Sequence, residues 1–420
     1  MTEQTLSGGR RKAALGFIFA TALMDVLSLG IMIPVLPNLV KEMAGGDTAS
    51  ASLWVGLFGT VWALMQFFCS PILGMLSDRY GRRPVILISI FGLGVDYLFM
   101  AMAPTLALLF VGRIIHGITA ASFATAGAYI ADVTPPEKRA QSFGLIGAAW
   151  GVGFAVGPAM GGLLGDIDLR LPFYVAAALA LTNWLYGFFV LPESLPPEKR
   201  IKAFDWRKAN PIGSLKLLRS HGDLTGLALV SGFFQLAHHV LPSIFVLYTG
   251  YRYGWSPRDV GFMLMATGVA NIIVQALLVG RVVKAAGERG ALLIGLFCMT
   301  AGFVIYGLAP TQELYWIGLP VFALSGLIQP GLMGLMSRRV QAWEQGQLQG
   351  ANSSIMGITG LFGPALYTTV FAWSVHRDSV LHMPGLAVLI AGGLTGAAFL
   401  TALKVAKPAP RLEPEPVPSA

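Results

Sequence analysis

Three ionisable side chains lie where the chain is otherwise apolar: Asp25 in TALMDVLSLGIMIPVLP, Asp96 in LGVDYLFM and Arg113 in GRIIHGITAA. A charge at the centre of a bilayer costs about 2.5–3.5 kcal/mol on insertion scales, so each should face a cavity or a partner. Asp25 has no basic residue in its own apolar run, and an acid buried without a fixed cation holds its proton more readily. That marks it as a proton carrier. A hairpin of the runs that hold Asp96 and Arg113 sets the two at similar depth. They form either a proton relay or gate, or a purely structural ion pair. No nucleophile–base pair, metal-ligand cluster or phosphate loop accompanies them, which argues against an enzyme. The two cysteines, Cys69 and Cys298, lie in apolar runs without a partner spacing and are read as packing residues.

The elements that must position these groups are membrane spans. The 420 residues are 55% hydrophobic and 12% charged, with a mean hydropathy of +0.67, which excludes a soluble multidomain protein of this length. The apolar residues fall in blocks of about twenty, enough to cross about 30 Å of hydrocarbon. Twelve spans are predicted, at 13–40, 52–76, 84–103, 105–131, 140–164, 171–191, 224–249, 258–280, 290–309, 314–337, 347–374 and 382–404. Most of the 29 basic residues then lie on one side, with both termini, and the positive-inside rule makes that side cytoplasmic. The net charge of +8 is thus an orientation signal, and a nucleic-acid partner is excluded. The apolar run after GGRRKAALGF has no small-residue cleavage site and reads as an uncleaved first span.

The predicted fold is an all-α membrane protein of twelve transmembrane helices in two six-helix halves. The halves are 1–191 and 224–404, joined by a cytoplasmic linker at 192–223 and followed by a Pro- and Glu-rich tail at 405–420 predicted to be disordered. An offset of 206 lays Gly74 on Gly280, Gly81 on Gly287, Gly144 on Gly350, and Gly157-Pro158 on Gly363-Pro364. Such coincidences at one offset argue for an internal repeat.

Two motifs add to this. The stretch GMLSDRYGRRPV concentrates Asp78, Arg79, Arg82 and Arg83 between spans 2 and 3. Gly74 is expected to let two helices approach, Gly81 to permit a tight turn, and Asp78 to accept hydrogen bonds from a helix N-terminus or an arginine. The repeat copy, GRVVKAAGERG, keeps the glycines but has no acid at the Asp78 position. In span 5, GFAVGPAMGG places Gly153, Gly157, Gly161 and Gly162 where helices can pack backbone to backbone, with Pro158 expected to kink the span. Gln66, Gln235, Asn271, Gln275, Gln329 and Asn352 either line a substrate cavity or hydrogen-bond between helices. His238 and His239 point to different helix faces, so at most one faces a cavity.

GMLSDRYGRRP resembles the signature of the major facilitator superfamily at every signature position, and GFAVGPAMGG resembles the span-5 signature of its drug/proton antiporters. Further runs, among them AYIADVTPPEKRAQSFG, FVLPES, YGWSPRDVGF and QLQGANSSIMGITGLFGPALY, are similar to the bacterial tetracycline/proton antiporters from Met24 to Ala372. The resemblance implies a substrate site between two rocking halves and an asymmetric latch built on Asp78. It also implies proton and substrate roles for Asp25, Asp96 and Arg113, and a place near substrate for Gln275. Two departures stand out: Asn271 replaces a span-8 histidine, and span 9 has no acid, Met299 being nearest its place.

The expectation is a proton-coupled antiporter exporting an amphiphilic drug such as tetracycline. The alternative is an exporter or uniporter of an unrelated metabolite or of multiple drugs. No cofactor is implied beyond the proton gradient and a divalent cation carried with the substrate. The expected partners are the drug, protons and the lipid bilayer. The expected setting is the bacterial inner membrane, with the protein acting as a monomer.

Overall fold

The structure, a computed structural model, describes residues 8–119, 122–134, 139–201, 222–341, 344–376 and 382–407. Most of the predicted linker and nearly all of the tail lie outside the described residues. The described chain is helical and contains no strand. The first half holds α1 (Gly8–Met32), α2 (Leu36–Met43), α3 (Thr48–Tyr80), α4 (Arg82–Met102), α5 (Leu106–Thr119), α6 (Ser122–Val133), α7 (Arg139–Gly165) and α8 (Leu171–Val190). The second holds α9 (Gly222–His238), α10 (Val240–Tyr253), α11 (Pro257–Ile273), α12 (Val279–Leu308), α13 (Gln312–Ala323), α14 (Ile328–Ser337), α15 (Gln345–Val375) and α16 (Leu386–Val405).

Several predicted spans are each built from two helices. Span 1 breaks between α1 and α2 because Pro34 has no amide hydrogen and disfavours helix in the residue before it. Span 7 breaks at His239, ahead of Pro242. Span 10 passes through a 3₁₀ turn at Leu324–Leu327 between α13 and α14. The apolar helical run Pro257–Leu308, 52 residues long, is two spans. Gly287, at φ 69°, turns the chain inside it. With α5 and α6 forming one further span, the helices make the twelve of the predicted fold.

The turn between spans 2 and 3 is tighter than a loop. Helix α3 runs 33 residues to Tyr80, so Asp78 and Arg79 are helical, and the single residue Gly81, at φ 108°, reverses the chain into α4.

The chain packs as two compact units. The first contains Met1–Gly46, Val61–Asn210 and Trp255–Gly268. One of its cores joins Ile86, Ile90, Tyr129, Ile130, Val133 and Leu191, with Trp184 against them. The second contains Asp47–Thr60, Pro211–Gly254 and Val269–Ala420, with a core around Val274, Ala291, Ala323 and Leu327. Large apolar side chains are exposed along the spans, among them Phe68, Ile88, Phe189, Phe297, Ile317 and Phe362. In water such a surface would aggregate; against lipid tails it is the matched one. The protein is a multi-pass membrane protein.

Candidate functional site

Within the first unit, α1, α3, α4, α5 and α8 surround a buried polar cluster. Asp25 on α1 is buried, and the Asn183 amide on α8 donates to its Oδ1 at 3.5 Å. Thr21 Oγ1, one turn before Asp25, donates to Asn183 Oδ1 at 3.1 Å, fixing which end of the amide faces the acid. Asp96 on α4 is 1% exposed, and Arg113 on α5 is 7% exposed. No ion pair joins them among the described residues; the expected pair is replaced by another. Asp96 Oδ2 lies 2.9 Å from His116 Nδ1, one turn beyond Arg113 on the same helix.

Arg113 instead stands over the Trp62 ring, 5.9 Å from its centroid, and its Nη1 lies 3.9 Å from Met32 Sδ. Gly112 explains how close α5 comes to α4: a Cβ there would lie 3.3 Å from Asp96 Oδ1. Tyr97 lies within electrostatic reach of Asp25, Asp96 and Arg113. Three buried polar atoms of the cluster have no hydrogen-bond partner among the described residues: Asp96 Oδ1, Arg113 Nε and Trp62 Nε1. A buried group left unmatched costs about 1–3 kcal/mol, more when charged, so the cluster is built at a loss of stability. Gln66 is half-buried on α3.

The structure adds His116 and Asn183, which the sequence does not single out. His116 was legible, since residues three apart share a helix face. Asn183 carried no signal beyond being a lone amide in an apolar span.

The remaining amides lie in the second unit. A π-helical turn at Val274–Leu278 carries Gln275, whose Nε2 donates to Gly326 O at 3.2 Å in the 3₁₀ turn of span 10. Asn271 borders the same glycine, and Gln329 Oε1, on α14, is buried without a hydrogen-bond partner among the described residues. Asn352 Oδ1 accepts from Ser231 Oγ at 3.0 Å, a hydrogen bond between helices. Gln235 is half-buried on α9. His239 packs on Gly363 while His238 is exposed beside Phe234. Met299, where the resemblance implies an acid in span 9, is fully buried.

At the end of the first unit where α3 meets α4, Asp78 pairs with Arg82. Arg82 also reaches Asp132 Oδ2 at 3.2 Å and Ser77 Oγ at 2.7 Å. Arg83 donates to Phe188 O at 2.7 Å, and Arg79 stacks on Tyr80. The organising group is Glu193, unassigned from sequence beyond its place in FVLPES. Its carboxylate accepts from the backbone amides of Arg82 at 2.9 Å and Arg83 at 3.3 Å, and from those of Ser194 and Leu195 at 3.0 Å. It thereby caps the N-terminus of α4, where a negative charge is favoured. Gly81 has no room for a side chain beside that carboxylate. The expectation for Gly74 is corrected: a Cβ there meets no described atom within 4 Å, so it mediates no close approach among the described residues.

In α7 the small residues serve two faces. Gly153, Gly157 and Gly161 pack on α1, where a Cβ at Gly157 would lie 2.9 Å from Gly30 Cα. Gly162 faces α11, with Pro257 O at 2.5 Å from its Cβ position. Pro158 sits inside an unbroken helix, not at a helix break, and its carbonyl would lie 2.5 Å from a Cβ on Gly261.

A family model described as Major Facilitator Superfamily matches residues 18–364. The chain is 38% identical over 364 residues to the tetracycline resistance protein, class C, of Escherichia coli, covering 86% of this chain and 90% of that protein. It is 37% identical to the class G protein of Vibrio anguillarum, covering 83% and 88%. Multidrug resistance protein 2 of Bacillus subtilis is 28% identical, covering 88% and 91%. Among solved structures, the nucleoside transporter NupG superposes with a TM-score of 0.75 at 12% identity, covering 94% of this chain and 100% of that one. The human organic anion transporter MFSD10 gives 0.68 at 23% identity, covering 93% and 99%. These structural likenesses establish the fold alone.

Proposed function

The chain belongs to the major facilitator superfamily, and on that premise we propose that it is a proton-coupled antiporter exporting an amphiphilic drug, tetracycline or a related compound. The observation that carries this reading is the buried set of Asp25, Asp96 and Arg113 in a chain whose similar curated proteins are tetracycline resistance proteins. A proton arriving from the periplasm neutralises Asp25. The neutral acid no longer holds a cationic or zwitterionic drug, which leaves outward as the proton is taken. Asp96 and Arg113 relay the proton or gate its path, and Gln66, Gln235, Asn271, Gln275, Gln329 and Asn352 offer hydrogen bonds to the drug. Transport is gated by the cluster of Gly74, Asp78, Arg79, Gly81, Arg82 and Arg83.

The energy source is the proton gradient, with no resident cofactor, and the drug can travel with a divalent cation. The charge asymmetry of the loops supports an inner-membrane protein with both termini cytoplasmic, acting as a monomer. A second reading, export of several unrelated drugs, is favoured by Met299 at the place of the span-9 acid. Losing a carboxylate there weakens selection for a metal–tetracycline cation.

The deciding experiment is a drug-susceptibility panel that includes tetracyclines, in a pump-deficient host, comparing wild type with Asp25→Asn. The wild type should protect against tetracycline and the variant should not, with pH-driven efflux abolished in proteoliposomes. Proton-coupled transport unchanged in the variant would remove Asp25 from the coupling role. Protection across chemically unrelated drugs would favour the second reading.

A further inference from the structure

We infer that the His116–Asp96 pair is a second proton-binding site of the transport cycle, working beside Asp25; this rests on the antiport reading above. Asp96 is an acceptor when ionised, so His116 Nδ1 carries the hydrogen that lies 2.9 Å from Asp96 Oδ2. That contact persists whether the imidazole is neutral or charged. The proton that comes and goes is therefore the one on Nε2: an N–H bond forms there with a proton from one side of the membrane. It breaks there with release to water on the other side, and no other bond changes.

The charges facing this pair favour such a step. From α4 come Asp96 and Tyr97, from α5 itself comes Arg113, α3 contributes the uncharged Trp62, and Asp25 of α1 lies within electrostatic reach of Tyr97. When Asp25 and Asp96 are both ionised, two carboxylates and one guanidinium leave a deficit of one positive charge in a buried space, and one proton on His116 removes it. The geometry is that of a working site. Asp96 Oδ1, Arg113 Nε and Trp62 Nε1 are buried around the imidazole without hydrogen-bond partners among the described residues. The rings of Trp62 and Tyr97 lie 6.5 and 5.5 Å from it. A group meant only to hold two helices together needs no such unsatisfied surround.

Trp62 supplies a readout independent of any drug. In the purified full chain, the part of tryptophan emission that disappears in Trp62→Phe should follow a single ionisation as pH is varied. That ionisation should vanish in both His116→Gln and His116→Ala. Each variant is first checked for a monodisperse peak in detergent, and the glutamine variant carries the test if the alanine variant does not fold. In acid-loaded proteoliposomes given tetracycline with Mg²⁺, gradient-driven accumulation should be lost in both. A Trp62 signal flat with pH in the wild type, or titration unchanged in the variants, would overturn the inference. So would retained accumulation in His116→Ala. Accumulation lost in His116→Ala but restored in His116→Gln, which keeps an N–H for Asp96, would reduce His116 to a positioning role and overturn it as well. If the wild type accumulates no tetracycline, the proposed function fails, while the fluorescence titration still decides the pair.

Discussion

Gly81 meets three demands at one residue. Its φ of 108° reverses the chain, its missing side chain admits the Glu193 carboxylate, and its position opens α4. An alanine there costs about 1–3 kcal/mol for the backbone alone, since this conformation is essentially restricted to glycine, and also displaces the carboxylate that caps Arg82 and Arg83. Gly81→Ala should therefore lower the melting temperature in detergent by several degrees; a melt like the wild type's would show that the turn relaxes freely. The need for a turn at Gly81 was visible in GMLSDRYGRRPV. Glu193 as the group that fills its space was not, because 112 positions separate them in the sequence. The same holds for Asp96. Its burial is legible from the apolar run around it, but not that it meets His116 where a pairing with Arg113 was open, since depth in the membrane does not fix the direction of a side chain around the helix axis.

At the scale of elements, the halves repeat one device with its charges inverted. Gly81 and Gly287 both have positive φ. The residue after each forms an ion pair across to the next span: Arg82 to Asp132 in the first half, Glu288 to Arg338 in the second. The arginine after that caps the last helix of its half, Arg83 at Phe188 O and Arg289 at Leu403 O at 3.3 Å. The offset of 206 carries Arg82 onto Glu288 and Asp132 onto Arg338, so the geometry recurs although the signs do not. Glu288→Arg should destabilise the second unit by setting two arginines together, and Glu288→Arg with Arg338→Glu should recover most of the loss. The coupling between them should be about 0.2–1 kcal/mol, as for partly exposed pairs; additive effects in a double-mutant cycle would mean the pair contributes nothing. The repeated Gly-Pro pairs behave likewise. Gly157 brings α7 against α1, and Gly363 brings α15 against His239 between α9 and α10.

For the whole molecule, chain order and packing do not coincide. Residues 47–60 belong to the second unit, where Gly56 lies against Thr368 and Gly59 against Pro364. Residues 255–268 belong to the first, where Gly261 lies against Pro158 and Gly268 against Ala155. Asp78 is the group whose change should be read at this scale. Its side chain is 40% exposed and tied only to Arg82 among the described ion pairs. Asp78→Asn should cut turnover while leaving substrate affinity nearly intact, measured as initial uptake rate against equilibrium binding; a large affinity loss with normal turnover would refute its role as a gate. What the sequence by itself determined is the membrane, the number of spans, the repeat and the buried charges. Each follows from local composition, because hydrocarbon thickness sets span length and the cost of burying charge makes every intramembrane acid visible. What only the tertiary structure decided is which groups meet: His116 on Asp96, Asn183 on Asp25, Glu193 over Gly81, and two segments packed with the opposite half. Those pairings depend on how each helix is rotated about its axis and on where small residues let backbones touch. Neither quantity is encoded within a single span.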